Sequence, residues 1–170
     1  DDEEIFVETM YWLPEKLLEE RVQVEKIPYD LWHEQGFLRL SEGSTIHPKD
    51  VTAWLLEMNE KYQIDFFKIG YDAWSARYWV EEMEQYFGKN TMVPVAQGAR
   101  TLSLPLKDLE VKIKDKKLNY KNNPITMWCI NNTTIKVDEN NNIKPLKGKS
   151  KAKKIDGLAG ILNAYTVLLN

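Results

Sequence analysis

The sequence predicts an α/β protein in which helices cover a sheet, and three observations carry that reading. Short apolar runs such as 66–71 have the length of buried strands. Longer segments such as 48–62 repeat apolar residues at three- and four-residue steps, the period of a helix. The two kinds of segment alternate, with no repeat and no linker long enough to divide the chain, so residues 1–170 read as one domain.

The elements follow in order. Residues 5–13 are β-rich and aromatic and predict a strand. Pro14 and Glu15 open a helix, because proline is pre-set for the first helical position, and Leu17, Leu18, Val22 and Val24 give it an apolar side. Pro28 to Gln35 is a short helix stopped by Gly36, and Phe37 to Leu40 a short strand. In 48–62, Val51, Trp54, Leu55, Met58 and Tyr62 form one apolar stripe. The run 66–71 is a buried strand ending on Asp72, and Ser75 is placed to cap the helix after it. Ala76, Val80, Met83 and Phe87 face that helix inward, and Gly88 ends it. Thr91–Val95 is the next strand. Residues 103–117 predict a helix with Leu106, Leu109 and Ile113 inward. Pro124 opens another, carrying Met127, Trp128 and Asn131. Residues 133–137 and 142–145 predict a hairpin across an asparagine-rich turn. Residues 155–169 form a last helix with Leu158, Leu162 and Leu169 on one side.

Composition narrows the chemistry. Six tryptophans, eight tyrosines and five phenylalanines exclude a disordered chain. No apolar run approaches the ~20 residues of a membrane span, and no signal-peptide pattern opens the sequence, so the expectation is a protein that is not secreted. Cys129 is the only cysteine, which permits no internal disulfide and fits a reducing compartment. With it, His33 and His47 are too few for a cysteine/histidine zinc site. There is no phosphate-binding P-loop, no Gly-x-Gly-x-x-Gly turn and no Gly-x-Ser-x-Gly elbow. Carboxylate and lysine chemistry remains.

Two aspartates stand out, each in an apolar segment that is expected to bury it. Asp72 ends a strand within Gly70-Tyr71-Asp72-Ala73-Trp74, and Asp156 lies in the first turn of the last helix within Lys154-Ile155-Asp156-Gly157. Brought together at one sheet edge, they can hold a hard divalent cation with oxygen ligands. The competing reading makes Asp72 a turn former and Asp156 an acid favoured by the helix dipole. Lys144, Lys147, Lys149, Lys151, Lys153 and Lys154 crowd just before Asp156 although the net charge is -3. Lys147, Lys149, Lys151, Lys153 and Lys154 are candidates for holding a phosphate backbone, against the alternative of a solvated loop. Gln97 and Gly98 follow a strand and are weaker candidates, with a turn as the alternative. Val51, Trp54, Leu55 and Trp128 read as core, and Cys129 as a buried small hydrophobe.

An ordered set of segments carries a resemblance. It comprises Tyr11-Trp12-Leu13-Pro14-Glu15, Ile27-Pro28-Tyr29-Asp30-Leu31-Trp32, Gly70-Tyr71-Asp72-Ala73-Trp74, Val95-Ala96-Gln97-Gly98, Leu102-Ser103-Leu104-Pro105-Leu106-Lys107-Asp108-Leu109-Glu110, Asn123-Pro124-Ile125-Thr126-Met127-Trp128-Cys129 and Lys154-Ile155-Asp156-Gly157. Together they span nearly the whole chain and resemble the C-terminal nuclease domain of a tailed-bacteriophage terminase large subunit. The resemblance implies an RNase H-like mixed sheet flanked by helices. It implies a divalent-metal endonuclease that cuts concatemeric double-stranded viral DNA, with two Mg²⁺ or Mn²⁺ ions, and with Asp72 and Asp156 as its metal-holding and catalytic residues. The implied partners are double-stranded DNA, the terminase ATPase domain, the small terminase subunit and the portal protein. The implied place is the host-cell cytoplasm, with no membrane.

One departure matters. In that family the first metal aspartate sits on an earlier strand, in a Gly-x-Asp-x-Ser-like segment, and residues 1–170 contain no such segment. Asp1 and Asp2 read as a turn, not as its replacement. The expectation is a domain without its N-terminal strand or strands, holding two of three metal carboxylates and inactive by itself. Two other readings stay open: a non-catalytic DNA-binding or docking module, and a resolvase- or transposase-type nuclease on the same fold. The Pro-Tyr-Asp-x-Trp and Gln-Gly segments favour the terminase.

Overall fold

The computed structural model describes residues 4–170, so the turn expected at Asp1 and Asp2 lies outside the described residues. The element order is β1 (Ile5–Phe6), β2 (Tyr11–Pro14), α1 (Leu18–Glu25), α2 (Tyr29–Glu34), β3 (Leu38–Ser41), α3 (Pro48–Tyr62), β4 (Ile69–Asp72), α4 (Val80–Phe87), β5 (Met92–Val95), α5 (Ala99–Lys114), β6 (Leu118–Asn119), α6 (Pro124–Asn132), β7 (Thr133–Val137), β8 (Ile143–Lys147) and α7 (Asp156–Leu168). A 3₁₀ turn, Glu15–Leu17, leads into α1.

Helices alternate with strands as the sequence predicts, and the strands are resolved as four pairs. β2 with β3 and β4 with β5 are parallel and in direct register, each pair joined by a helical crossover. β1 pairs in parallel with β6, and β7 with β8 form the expected antiparallel hairpin. The hairpin turn is held by the Asp138 carboxylate, which accepts from the backbone N–H groups of Asn140 and Asn142.

Helix α3 has the bounds the periodicity predicts, with Pro48 in its first turn and Gln63 in the left-handed conformation at its end. Helix α6 starts where Pro124 places it, and the Asn123 side chain caps it by accepting from the N–H groups of Ile125 and Thr126.

Other elements depart from the expectation. The strand expected over 5–13 is two short strands, because its halves pair with different partners, β6 and β3. The strand expected as buried over 66–71 begins at Ile69 and is half-buried, and Phe67 is 86% exposed. Ser75 does not cap a helix: α4 begins only at Val80, and the Ser75 hydroxyl donates back to Asp72. Helix α5 starts four residues earlier than expected, at Ala99, and carries Pro105 inside it. The Pro105 ring is buried with Leu102, Leu106 and Leu109, so burial offsets the hydrogen bond it cannot make.

Two cores meet along α7. One gathers Leu158, Ile161, Leu162 and Tyr165 of α7 against Leu102, Leu106 and Leu109 of α5 and Val95 of β5. The other joins Leu13, Leu38, Tyr29, Trp32, Ile125 and Cys129 around β2, β3, α2 and α6. Trp128 is half-buried, with its ring 6.1 Å from that of Tyr29 and 5.5 Å from that of Trp32. A Cβ on Gly70 of β4 would lie 2.6 Å from the Asn163 carbonyl oxygen of α7, and one on Gly157 would overlap the Tyr11 hydroxyl and sit 3.1 Å from Cys129 Sγ.

Glycine substitutions along this seam are expected to diverge. Gly70→Ala collides with helix backbone and should cost about 1–3 kcal/mol. Gly160→Ala, in the same helix with nothing within 4 Å of its Cβ, should stabilise by about 0.5–1 kcal/mol. Urea unfolding of the two variants checks both signs. Equal effects would mean that α7 does not press on β4.

Candidate functional site

Asp72 closes β4, and its register partner is Val95 at the end of β5. Its carboxylate organises the chain that follows. The Trp74 N–H donates to Oδ1 and the Ser75 hydroxyl to Oδ2, both at 3.0 Å, while the Ala76 N–H donates to the Asp72 carbonyl. This is the turn-forming role the sequence offered as an alternative. Each carboxylate oxygen carries a further lone pair, so the turn leaves Asp72 acceptor capacity. The residue is half-buried rather than enclosed.

Asp156 is the first residue of α7 and is exposed, not buried as its apolar neighbours suggested. Gly157 explains why. The helix must approach Tyr11 and Cys129 at glycine distance, which turns the preceding side chain toward solvent. The approach to Lys154 is fixed by the Asn132 side-chain amide, which donates to the Lys154 carbonyl at 2.9 Å.

The two aspartates stand on elements that pack together, Asp72 on β4 and Asp156 on α7. Lys68, just before β4, shares a small cavity with Thr166, Val167 and Asn170 at the end of α7. Beyond β5, the Gln97 amide donates to Asn163 Oδ1 at 3.0 Å and to the Val95 carbonyl at 2.8 Å. Asn163 of α7 thus lies against both Gly70 of β4 and Gln97 beyond β5. Gly70 faces α7, and Asp72, two residues on, shares that face.

Two aspartates supply hard anionic oxygens, which suits Mg²⁺ or Mn²⁺, and Mg²⁺ is commonly held by one or two carboxylates with waters and phosphate completing the shell. Among the described residues no three His, Cys, Asp or Glu side chains form a metal-binding group. The pair fits such an ion as a partial ligand set.

A cavity of about 850 Å³ opens beside Asp156. Its walls include residues 7–13, Trp54 and Leu55 of α3, Gly70 of β4, and Gly160, Ile161 and Ala164 of α7. β2 and β4 each have a single hydrogen-bonded strand neighbour among the described residues. The Val51, Trp54 and Leu55 stripe, expected as closed core, is half-buried and lines this cavity, and Trp54 meets Trp12 edge-on at 5.9 Å.

Of the lysines, Lys147 on β8 and Lys154 line the cavity with Asp156. Lys149, Lys151 and Lys153 are exposed in the segment between. Gln97 ties β5 to α7, and Gly98 begins α5 as its N-terminal cap. Sequence reasoning missed Arg21 of α1, which lines the cavity, and Glu25 one turn on from it. Glu25 accepts from the Tyr29 hydroxyl at 2.5 Å and pairs with the Lys154 ammonium at 3.9 Å. The available signal was the four-residue spacing of Arg21 and Glu25, which places them on one helix face.

The sequence model of the family described as terminase large subunit, endonuclease domain, matches residues 1–170. The terminase large subunit of Enterobacteria phage HK97 is 25% identical over 151 residues, 89% of this chain and 29% of that protein. Protein YmfN of Escherichia coli (strain K12) is 34% identical over 74 residues, 42% of this chain and 16% of that protein. The chain thus spans less than a third of the length of either relative. The crystal structure of the HK97 bacteriophage large terminase superposes with a TM-score of 0.80 at 25% identity, covering 92% of this chain and 32% of that one. The fold is RNase H-like.

Beneath Asp156 lies Cys129, 1% exposed. Burial first, and then the nearby Asp156 charge, push its thiol from 9.0 up to about 11, against a hydrogen bond from the Gly157 backbone. A raised folded value means that the protein keeps its proton where the unfolded chain loses it. The thiol's contribution to stability is therefore intact below pH 9 and declines as pH rises from 9 toward 11. Iodoacetamide at pH 8 should label Cys129 only as fast as the protein opens, with full labelling in urea. Rapid labelling of the folded protein would show that the α6–α7 contact is loose.

Proposed function

This chain belongs to the terminase large-subunit endonuclease-domain family, and on that premise we propose that it cuts double-stranded viral DNA by metal-assisted hydrolysis at Asp72 and Asp156. The observation that carries the proposal is the close packing of α7 on β4 at Gly70, the two elements that bear Asp156 and Asp72.

Asp72 and Asp156 would hold the ions, and Mg²⁺ or Mn²⁺ would supply activation of water and neutralisation of charge on the leaving oxygen. The chain's own groups do the positioning. The Trp74 N–H and the Ser75 hydroxyl fix the orientation of the Asp72 carboxylate. The glycine contact at Gly157 fixes where α7, and with it Asp156, begins. Lys147 and Lys154 on the cavity wall, with the exposed Lys149, Lys151 and Lys153, hold phosphates without reading bases. The open sides of β2 and β4 suit a strand lying N-terminal to residues 1–170, and such a strand would add a third carboxylate beside Asp72. Concatemeric DNA as substrate, two ions, and the ATPase domain, small terminase subunit and portal protein as partners belong to this same reading, as does the host cytoplasm. A second reading, DNA binding without cleavage, draws on the lack of a three-residue metal group among the described residues.

In a chain extended N-terminally through the preceding strands, Mn²⁺- or Mg²⁺-dependent nicking of supercoiled plasmid is expected. Asp72→Asn and Asp156→Asn should each lower it on the order of a hundredfold or more, since an amide cannot supply the anionic ligand. Nicking by Asp72→Asn at the parental rate would sink the mechanism, and no nicking by the parent would favour the binding-only reading.

The lysines have a separate signature. Replacing Lys149, Lys151 and Lys153 with alanine should lower the slope of log K against log salt by about 0.9 per lost phosphate contact on duplex DNA. The loss should be similar for unrelated sequences, with stability changed by no more than about 0.5 kcal/mol. An unchanged slope in a salt titration would make this segment a solvated loop.

A further inference from the structure

Helix α1 is short, and none of its residues is fully buried, yet it presents Arg21 and Glu25 one turn apart. An arginine one turn from a glutamate ordinarily pairs with it. Here Glu25 is engaged elsewhere: Oε2 accepts from the Tyr29 hydroxyl and Oε1 faces the Lys154 ammonium. The glutamate that lines the cavity, Glu8, is held by Lys121 and the Tyr62 hydroxyl. Arg21 is half-buried, lines the cavity, and has no hydrogen bond or ion pair among the described residues. A guanidinium partly withdrawn from water without an anion is unfavourable, and an anion entering the cavity would relieve that cost.

Three cations therefore line one cavity with Asp156: Arg21, Lys147 and Lys154. Arg21 lies within electrostatic reach of Tyr29, Tyr29 of Cys129, and Cys129 of Asp156. The cavity is thus lined by three cations beside Asp156, one of the two acids proposed to hold metal. A planar guanidinium offers paired donors that match two phosphate oxygens, whereas an ammonium acts as a point charge.

We propose that Arg21 is a phosphate-binding residue that, with Lys147 and Lys154, grips the DNA backbone beside Asp156, and that Glu25 is a positioning residue holding Lys154 on that wall. The assignment rests on the DNA-cutting reading above and extends it to α1, which carries none of the acids.

The test uses the full-length protein and a fluorescein-labelled duplex, with EDTA present so that binding is read without metal or turnover. Anisotropy is measured across a salt series. Arg21→Ala should weaken binding roughly tenfold at low salt, since a charge-assisted hydrogen bond is lost, and should lower the salt slope by about 0.9. Arg21→Lys should restore the slope but not the full affinity, because the charge returns without the paired geometry. Glu25→Gln should also weaken binding, and less so in a Lys154→Ala background, where there is no ammonium left to hold. Thermal melting of each variant reports folding. A parental slope in folded Arg21→Ala overturns the role of Arg21 even if the parent nicks plasmid. A slope shortened by Arg21→Ala in a parent that nicks nothing upholds Arg21 and overturns the cutting reading. A parent that binds no duplex overturns both.

Discussion

The structure depends on how closely α7 can approach its neighbours. At one end Gly157 lets the helix start against Tyr11 and Cys129, and six to ten residues later it passes over Gly70 of β4. A side chain at either glycine would meet a hydroxyl or a backbone oxygen at distances that real Cβ contacts do not reach. These two points fix α7 in position and in axial register. The apolar face between them, Leu158, Ile161, Leu162 and Tyr165, then fills against α5 and Val95. Both candidate acids inherit their places from this seam. Asp156 precedes the first glycine by one residue, and Asp72 follows Gly70 by two on the same face. A helix displaced by one turn would move its first residue by about 5.4 Å, comparable to the reach of a metal shell.

Electrostatics around this seam is arranged by division of partners. Glu25 sits between a phenol and an ammonium. Burial first, and then the hydrogen bond to Glu25, push the Tyr29 phenol far above its ordinary range, so Tyr29 stays a donor and leaves Glu25 as the anion that faces Lys154. Between α7 and α5 a second tyrosine does the same: the Tyr165 phenol is raised to about 12 by burial and by its hydrogen bond to Asp108. In both places a tyrosine supports a carboxylate from inside the protein. The cavity itself is lined by Arg21, Lys147 and Lys154 with Asp156 and Glu8.

Much of this was legible in the sequence where a signal was local and repeated. Helix α3 has a clean apolar period and a proline at its start, and its bounds follow directly. The α6 cap and the β7–β8 turn are read from single side chains. The failures share a cause in tertiary pairing. The 5–13 strand breaks because its halves join different neighbours, and β6 is two residues long with no period to detect. Helix α5 starts four residues before the expected bound and keeps Pro105 inside it, because burial outweighs propensity there. At the site, Asp72 and Asp156 were singled out by their apolar neighbours, but those neighbours mark packing of the flanking backbone rather than burial of the acids. Arg21 was passed over because the spacing to Glu25 alone reads as an ordinary helix pair, and its meaning comes from what Glu25 does with Lys154 and Tyr29, 129 and 4 residues away in the chain.

The open sides of β2 and β4 tie fold and chemistry together. An unpaired strand edge presents donors and acceptors that must find water or another strand. Here the unpaired sides adjoin an apolar cavity of about 850 Å³ whose wall takes in residues 7–13 and Gly70. A strand pairing with β4 would run beside Ile69–Asp72, and a side chain at the level of Asp72 would stand about 5 Å from it across the ladder. The place where the sheet has most to gain in hydrogen bonds is thus the place where a further carboxylate would join Asp72. Under the proposed function, completing the sheet and completing a metal ligand set would be one structural event.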